Sequence, residues 1–83
     1  MVEEKVKNLI RALEYINENK WDAAHDLVQL YEGDFAFDRI HALLHRIEGD
    51  TYNANWWYNK LGVKIPIVSF EEEIDMIKKE LNL

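Results

Sequence analysis

The three histidines of this chain all lie in its middle, at positions 25, 41 and 45. His41 and His45 are four residues apart, so on a helix they share one face, and Glu48 follows on nearly the same stripe. His25 lies on the helix predicted just before them. Three imidazoles and a carboxylate form a donor set that suits zinc or another divalent metal. The same groups could instead serve as an acid/base site, because imidazole titrates near neutral pH.

The spacing of these residues excludes several metal-enzyme patterns. A helical metalloprotease motif needs glutamate directly after its first histidine, where this chain has Ala42. A ferritin-like di-metal site is incomplete: Asp22 and Asp38 each precede a histidine by three residues, but the fourth predicted helix adds only asparagines. Cysteine is absent, so a Cys-based zinc site is excluded. Enzymatic activity is therefore not favoured.

The sequence favours a structural interpretation of the histidines over a functional one. Imidazoles buried between helices can hydrogen-bond to a backbone carbonyl or to Asp50. Arg46 and Glu48 would then form ion pairs around the Gly49-Asp50 turn. A histidine-lined ligand surface is a further alternative.

A second set of candidate residues is aromatic and follows the histidines. Trp56 and Trp57 are adjacent, about 100° apart on a helix, so only one of them is expected in the core. The other is expected to be partly exposed beside Tyr52 or Tyr58. Exposed aromatic side chains are enriched at protein interfaces. The predicted binding residues are Trp56, Trp57, Tyr52, Tyr58, Arg46 and Asp50.

Helices must position these residues, and apolar side chains recurring at three- and four-residue spacing predict five of them. Asp34, Asp50 or Thr51, and Ser69 are predicted N-caps. The expected bounds are Val2 to Asn17, Trp21 to Tyr31, Phe35 to Glu48, about Thr51 to Gly62, and Ser69 to the C-terminus.

The segment from Val63 to Val68 has a different character from the helices. It is β-branched and holds the only proline, so it is predicted to be extended. No partner strand is evident. We expect it to form a strap over the helices, with Val63, Ile65 and Ile67 alternating toward one side.

An internal repeat with a period of thirty residues relates the two halves of the helical region. It places Ile10 on Ile40, Ala12 on Ala42 and Ala24 on Ala54. Such a period is typical of stacked helical hairpins. One set of residues resembles the second-helix motif of tetratricopeptide repeats: Gly49-Asp50, Ala54, Trp57-Tyr58 and Lys60. The proline that closes such a repeat is missing. The resemblance implies an all-α domain of two antiparallel hairpins, about 2–31 and 35–62, stacked with a right-handed turn and sealed by a capping helix at 69–83.

A second resemblance covers about half the chain. The strings WDAAHDLVQ, IHALLHRIEGD and NANWWYNKLG are similar to a family of short uncharacterised bacterial proteins with the pattern AH(D/E)…HAxxHRxEGD…NAxxWY. No function is assigned to that family, so the resemblance implies no mechanism. It draws attention to His25, His41, His45, Arg46, Glu48 and Asp50.

Composition limits the partners. The formal charge of −6, from sixteen acidic and ten basic residues, disfavours nucleic acid and anionic membranes. The N-terminus lacks the apolar region of a signal peptide, and no apolar run approaches the roughly 18–20 residues that span a bilayer, so a cytoplasmic location is expected. The function predicted first is a non-enzymatic interaction module without a cofactor, which binds a peptide, a protein or its own copy. The alternative is a histidine-centred site for zinc or another divalent metal, or for proton transfer.

Overall fold

Five α-helices form in chain order in the computed structural model, which describes residues 2–83 and their side chains from residue 4 onward. The predicted all-α class is confirmed, and none of the helices in residues 2–83 is long and apolar enough to cross a membrane. The helices are α1 (Val2–Asn17), α2 (Trp21–Gln29), α3 (Phe35–Ile47), α4 (Thr51–Leu61) and α5 (Phe70–Leu81).

The ends of the helices follow from local chemistry. Asp34 caps α3 by accepting a hydrogen bond from the backbone N–H of Ala36 at 2.9 Å. Ser69 caps α5 in the same manner, as its sequence predicts. The second helix ends two residues before the predicted Tyr31, because Tyr31 and Glu32 donate to carbonyls three residues back and the last turn tightens.

The central element is α3, which contacts each of the other four helices. Nine of its thirteen residues are buried, so its surface is covered on nearly all sides. The alanines that are aligned by the thirty-residue repeat are all buried. Their exposed fractions are 0% for Ala12, Ala24 and Ala42 and 2% for Ala54. Small side chains at these points let neighbouring helices approach closely.

The C-terminal helix is held by a buried ionic network that the sequence did not predict. Glu73 of α5 is fully buried and accepts hydrogen bonds from Arg39, Arg46 and Tyr58. Arg39 also pairs with Glu80. These contacts place α5 against α3 and fix the end of the chain on the helical core.

The segment 63–68 joins α4 to α5 without forming a strand. Val63 is half-buried and packs against the alanine and aromatic side chains of α4, while the carbonyl of Val68 accepts a hydrogen bond from α3. The predicted alternation is wrong: Ile67 is 95% exposed and Ile65 is 37% exposed. A two-residue period belongs to a strand held by a partner, and this irregular segment has none.

Candidate metal centre

Two neighbouring helices bring the three histidines together. His25 lies in the middle of α2, and His41 and His45 occupy successive turns on one face of α3. The start of α2 is fixed to α3 by the indole N–H of Trp21, which donates to the carbonyl of Leu44 at 2.7 Å. This hydrogen bond holds α2 against α3 at a point one helical turn before His25.

The donor atoms of the three imidazoles converge. One ring nitrogen from each of His25, His41 and His45 lies within 4.8 Å of the other two. The Nε2 atoms of His25 and His41 are 3.2 Å apart, within hydrogen-bond distance. Two zinc–nitrogen bonds of about 2.0–2.1 Å at a tetrahedral angle separate the nitrogens by about 3.3 Å. The His25–His41 pair therefore already has the spacing of two zinc ligands.

Aromatic rings enclose this histidine cluster. His41 is stacked between His45 and Trp57, with ring centroids 4.9 and 4.3 Å away. On the other side, Trp21 stacks on His25 at 4.8 Å, with its ring nearly parallel to the imidazole. The rings restrict the orientation of each imidazole, so the nitrogen positions are defined by packing as well as by hydrogen bonds.

His41 is the innermost of the three residues, with 3% of its surface exposed. Burial, together with the nearby His45 and His25, lowers the pKa of His41 to about 4. The ring is therefore neutral at physiological pH, which is the form that binds metals. Its Nδ1 is buried without a hydrogen-bond partner in the described structure. An unpaired buried nitrogen costs roughly 1–3 kcal/mol.

Glu48 is placed differently from the prediction that it joins the three imidazoles. Its Oε2 lies 2.7 Å from Nδ1 of His45, and it belongs to a separate group with His45 and Asp50. Helix α3 ends at Ile47, and Glu48 is its C-cap, still in helical conformation and nearly one turn beyond His45. Histidine ligands of metals commonly donate their second ring N–H to such a carboxylate. Nε2 of His45 is then the nitrogen left to bind an ion.

The aromatic candidates divide between surface and interior. Trp56 is 51% exposed and Tyr52 82% exposed, whereas Trp57 is 8% exposed and Tyr58 is fully buried. Tyr58 and Trp57 therefore do not belong to an exposed binding surface. Tyr58 donates to Glu73, and Trp57 forms part of the enclosure of His41.

Arg46 and Asp50, the polar members of the predicted binding set, also have structural partners. The guanidinium of Arg46 lies 2.7 Å from Glu73, donates to the Val68 carbonyl and stands over the ring of Phe70. Asp50 caps α4 by accepting from the backbone N–H of Asn53 at 3.2 Å and from its side-chain amide at 2.6 Å. The contacts of Arg46 and those of Asp50 are thus made within this chain.

A groove between α1 and α5 lies apart from the histidines. Its cavity volume is about 290 Å³, and its lining includes Ile10, Leu13 and Leu83. None of the three histidines lines it. The groove is therefore a separate surface feature.

Two aromatic residues have roles beside the histidines that the sequence did not indicate. Trp21 is not among the predicted site residues, yet it stacks on His25, and its ring centroid lies 6.3 Å from that of His45 in an edge-on arrangement. The four-residue spacing of Trp21 and His25, which places both on one helix face, was the available signal. Trp57 had a weaker signal, because adjacent tryptophans leave open which one is buried.

Comparison with known proteins leaves the chain to be interpreted from its own residues. No protein-family model matches it, and neither curated proteins nor solved structures gave a match. Its resemblances to tetratricopeptide repeats and to the short bacterial family stay predictions.

Proposed function

We propose that this chain is a small helical domain that binds a divalent transition metal through His25, His41 and His45. The observation that carries the proposal is the convergence of one nitrogen from each imidazole within 4.8 Å. Neutral His41 and the Glu48 contact to His45 support it, since both match what metal-bound histidines need.

The donor set determines which ions are expected. Imidazole nitrogens suit zinc, copper, nickel and iron, whereas magnesium and calcium prefer oxygen ligands. The three histidines present nitrogen only, so zinc should bind and magnesium should not. The chain's net charge of −6 favours the approach of any cation without selecting among them.

Metal uptake can be measured directly. We expect purified protein freed of metal by a chelator to bind one zinc ion in isothermal titration calorimetry. His25→Gln and His45→Gln change half-buried ligands while keeping a polar side chain, and each should weaken zinc binding at least about 10-fold. Glu32→Gln, at an exposed position outside the cluster, should bind zinc like the unaltered chain. No zinc binding, or equal binding by all three variants, would refute the proposal.

For the arrangement of the helices, we propose two stacked hairpins of the tetratricopeptide type, α1 with α2 and α3 with α4. The contacts of α2 with α3, and of α1 with α3, support this order. In such a stack the histidines lie where the two hairpins meet, and the metal would join them. An experimental structure with the paired helices side by side rather than stacked would contradict it.

A second proposed function is docking of a protein or peptide, because α4 exposes two aromatic side chains. Tyr52 and Trp56 are a helical turn apart, and the Nζ of Lys60 lies 5.1 Å from the Trp56 ring centroid. Large exposed aromatics beside a cation are typical of binding surfaces. Self-association through this face is the simplest test: sedimentation equilibrium should show concentration-dependent dimers that Trp56→Ala abolishes. A monomer at every concentration would exclude the chain's own copy as the partner.

A further inference from the structure

We propose that a metal ion held by His25, His41 and His45 keeps one coordination position open and takes water or a small anion there. This inference rests on the proposed metal binding and adds the type of site and the class of its ligand. Structural zinc sites are closed by four protein ligands, whereas sites with three protein ligands leave the fourth position to water or substrate.

No fourth protein ligand joins the three imidazoles among residues 4–83. The donor group that contains His25 and His41 consists of the three histidines alone. The two carboxylates that lie close to His45 are engaged elsewhere: Glu48 accepts from Nδ1 of His45, and Asp50 caps the N-terminus of α4. Moving Asp50 onto the metal would leave the first N–H groups of α4 without their acceptor.

The rings that enclose the cluster offer no ligand either. An indole has a single N–H donor and no acceptor, so neither Trp21 nor Trp57 can bind a cation through nitrogen. The N–H of Trp21 is moreover occupied by the carbonyl of Leu44. The enclosure therefore shapes the site without completing the coordination of an ion.

The open position should lie on the solvent side of the cluster. His41 is closed off beneath Trp57, with 3% of its surface exposed. His25 is half-buried, and the side chain of His45 is 13% exposed, so both reach the surface. An ion bound to all three nitrogens would meet solvent between His25 and His45.

Charge favours a small anion at that position. Three imidazoles carry no negative charge, so the ligands themselves do not compensate the double positive charge of the ion, unlike thiolates or carboxylates. Glu48 adds its negative charge from outside the ligand set, through Nδ1 of His45. A bound divalent metal is often the largest local charge in its site, and it lowers the pKa of coordinated water toward about 7. Water, hydroxide and compact monovalent anions are the expected ligands.

Cobalt(II) is the probe for the open position, because its visible absorption depends on coordination number and geometry. We expect the protein to take up cobalt(II) with visible bands in the range of tetrahedral or five-coordinate sites. Titration with azide should then shift these bands in a saturable manner. His45→Gln should lower cobalt(II) affinity at least about 10-fold. Glu32→Gln, which alters an exposed residue outside the cluster, should respond to azide like the unaltered chain.

The outcomes separate the two proposals. If cobalt(II) does not bind, the proposed metal site is refuted, and so is the open coordination position. If cobalt(II) binds but azide leaves the spectrum unchanged, metal binding stands and the open position is refuted. The Asp50→Asn variant tests whether Asp50 occupies the fourth position, because asparagine preserves the helix cap but removes the carboxylate. An azide response that appears only in Asp50→Asn would identify Asp50 as the fourth ligand and overturn the inference.

Discussion

The hydroxyl of Tyr58 donates a hydrogen bond to Oε2 of Glu73 at 2.5 Å, and both side chains are fully buried. The same carboxylate receives Arg39 at 2.7 Å on Oε2 and Arg46 at 2.7 Å on Oε1. Glu73 therefore joins α5 to both α3 and α4. Burial, and after it the bond to Glu73, raises the pKa of Tyr58 well above its usual range, so the hydroxyl remains a donor.

Removing the charge of Glu73 should destabilise the fold strongly. Glu73→Gln keeps the size of the side chain but leaves the fully buried Arg39 with Glu80 as its remaining anionic partner among residues 4–83. Breaking a buried ion pair in this manner costs about 3–5 kcal/mol, whereas Tyr58→Phe should cost about 1–2 kcal/mol. Urea denaturation followed by circular dichroism measures both. Glu32→Gln, an exposed control, should stay within about 0.5 kcal/mol, and an equally small effect of Glu73→Gln would show that the network is not stabilising.

Much of the local structure was predictable, because it depends on neighbours in the sequence. Periodicity gave the five helices, and Asp34 and Ser69 marked their caps correctly. The docking of α5 was not predictable. Glu73 stands in an acidic run that matches a solvated helix start, and its partner Arg39 is thirty-four residues away. Pairing across such a distance leaves no periodic signal in the sequence.

The candidate site was predictable only in part, for similar reasons. Helical spacing placed His41 and His45 on one face, and the predicted packing of α2 beside α3 placed His25 near them. The spacing of Glu48 placed it correctly beside His45, but no local signal shows that it does not join His25 and His41. The burial of Trp57 instead of Trp56 depends on how α4 rotates against α3, which adjacent tryptophans cannot determine.

Enlarging Ala42 should test the close approach of α3 and α4. Ala42 is fully buried in one cluster with Ala54, Trp57 and Tyr58, so a larger side chain has no free space. Ala42→Leu should cost about 1–3 kcal/mol of unfolding free energy by overpacking. Thermal or urea unfolding gives the value. Asn59→Leu, which adds an apolar side chain at an exposed position of α4, is the matched control, and an equal change in both variants would contradict close packing at Ala42.

Stability should fall as pH decreases, through the titration of His41. Its pKa is 6.5 in the unfolded chain and about 4 in the fold, so between these values the unfolded chain binds more protons. The stabilising contribution is complete above pH 6.5 and is lost progressively as pH falls to about 4. A shift of this size corresponds to on the order of 3 kcal/mol. The groups that face His41 are His25, His45 and the uncharged Trp57.

Comparison with a variant isolates this effect from the carboxylates that titrate over the same range. His41→Gln removes the titrating ring, so its unfolding free energy should depend less steeply on pH than that of the unaltered chain. Urea denaturation at several pH values measures both slopes. Parallel slopes would mean that His41 has the same pKa in the folded and the unfolded chain, so that burial does not keep the ring neutral.

Zinc should raise the melting temperature, because a ligand that binds only the folded chain stabilises it by mass action. At a free zinc concentration one hundred times the dissociation constant, the gain is about 2.7 kcal/mol, which corresponds to roughly 10–20 °C for a domain of this size. Scanning calorimetry with and without zinc measures the shift. Both His25→Gln and His45→Gln should lose it, a chelator should reverse it, and magnesium should not reproduce it. A shift that persists in both variants would place the zinc away from the three converging imidazoles.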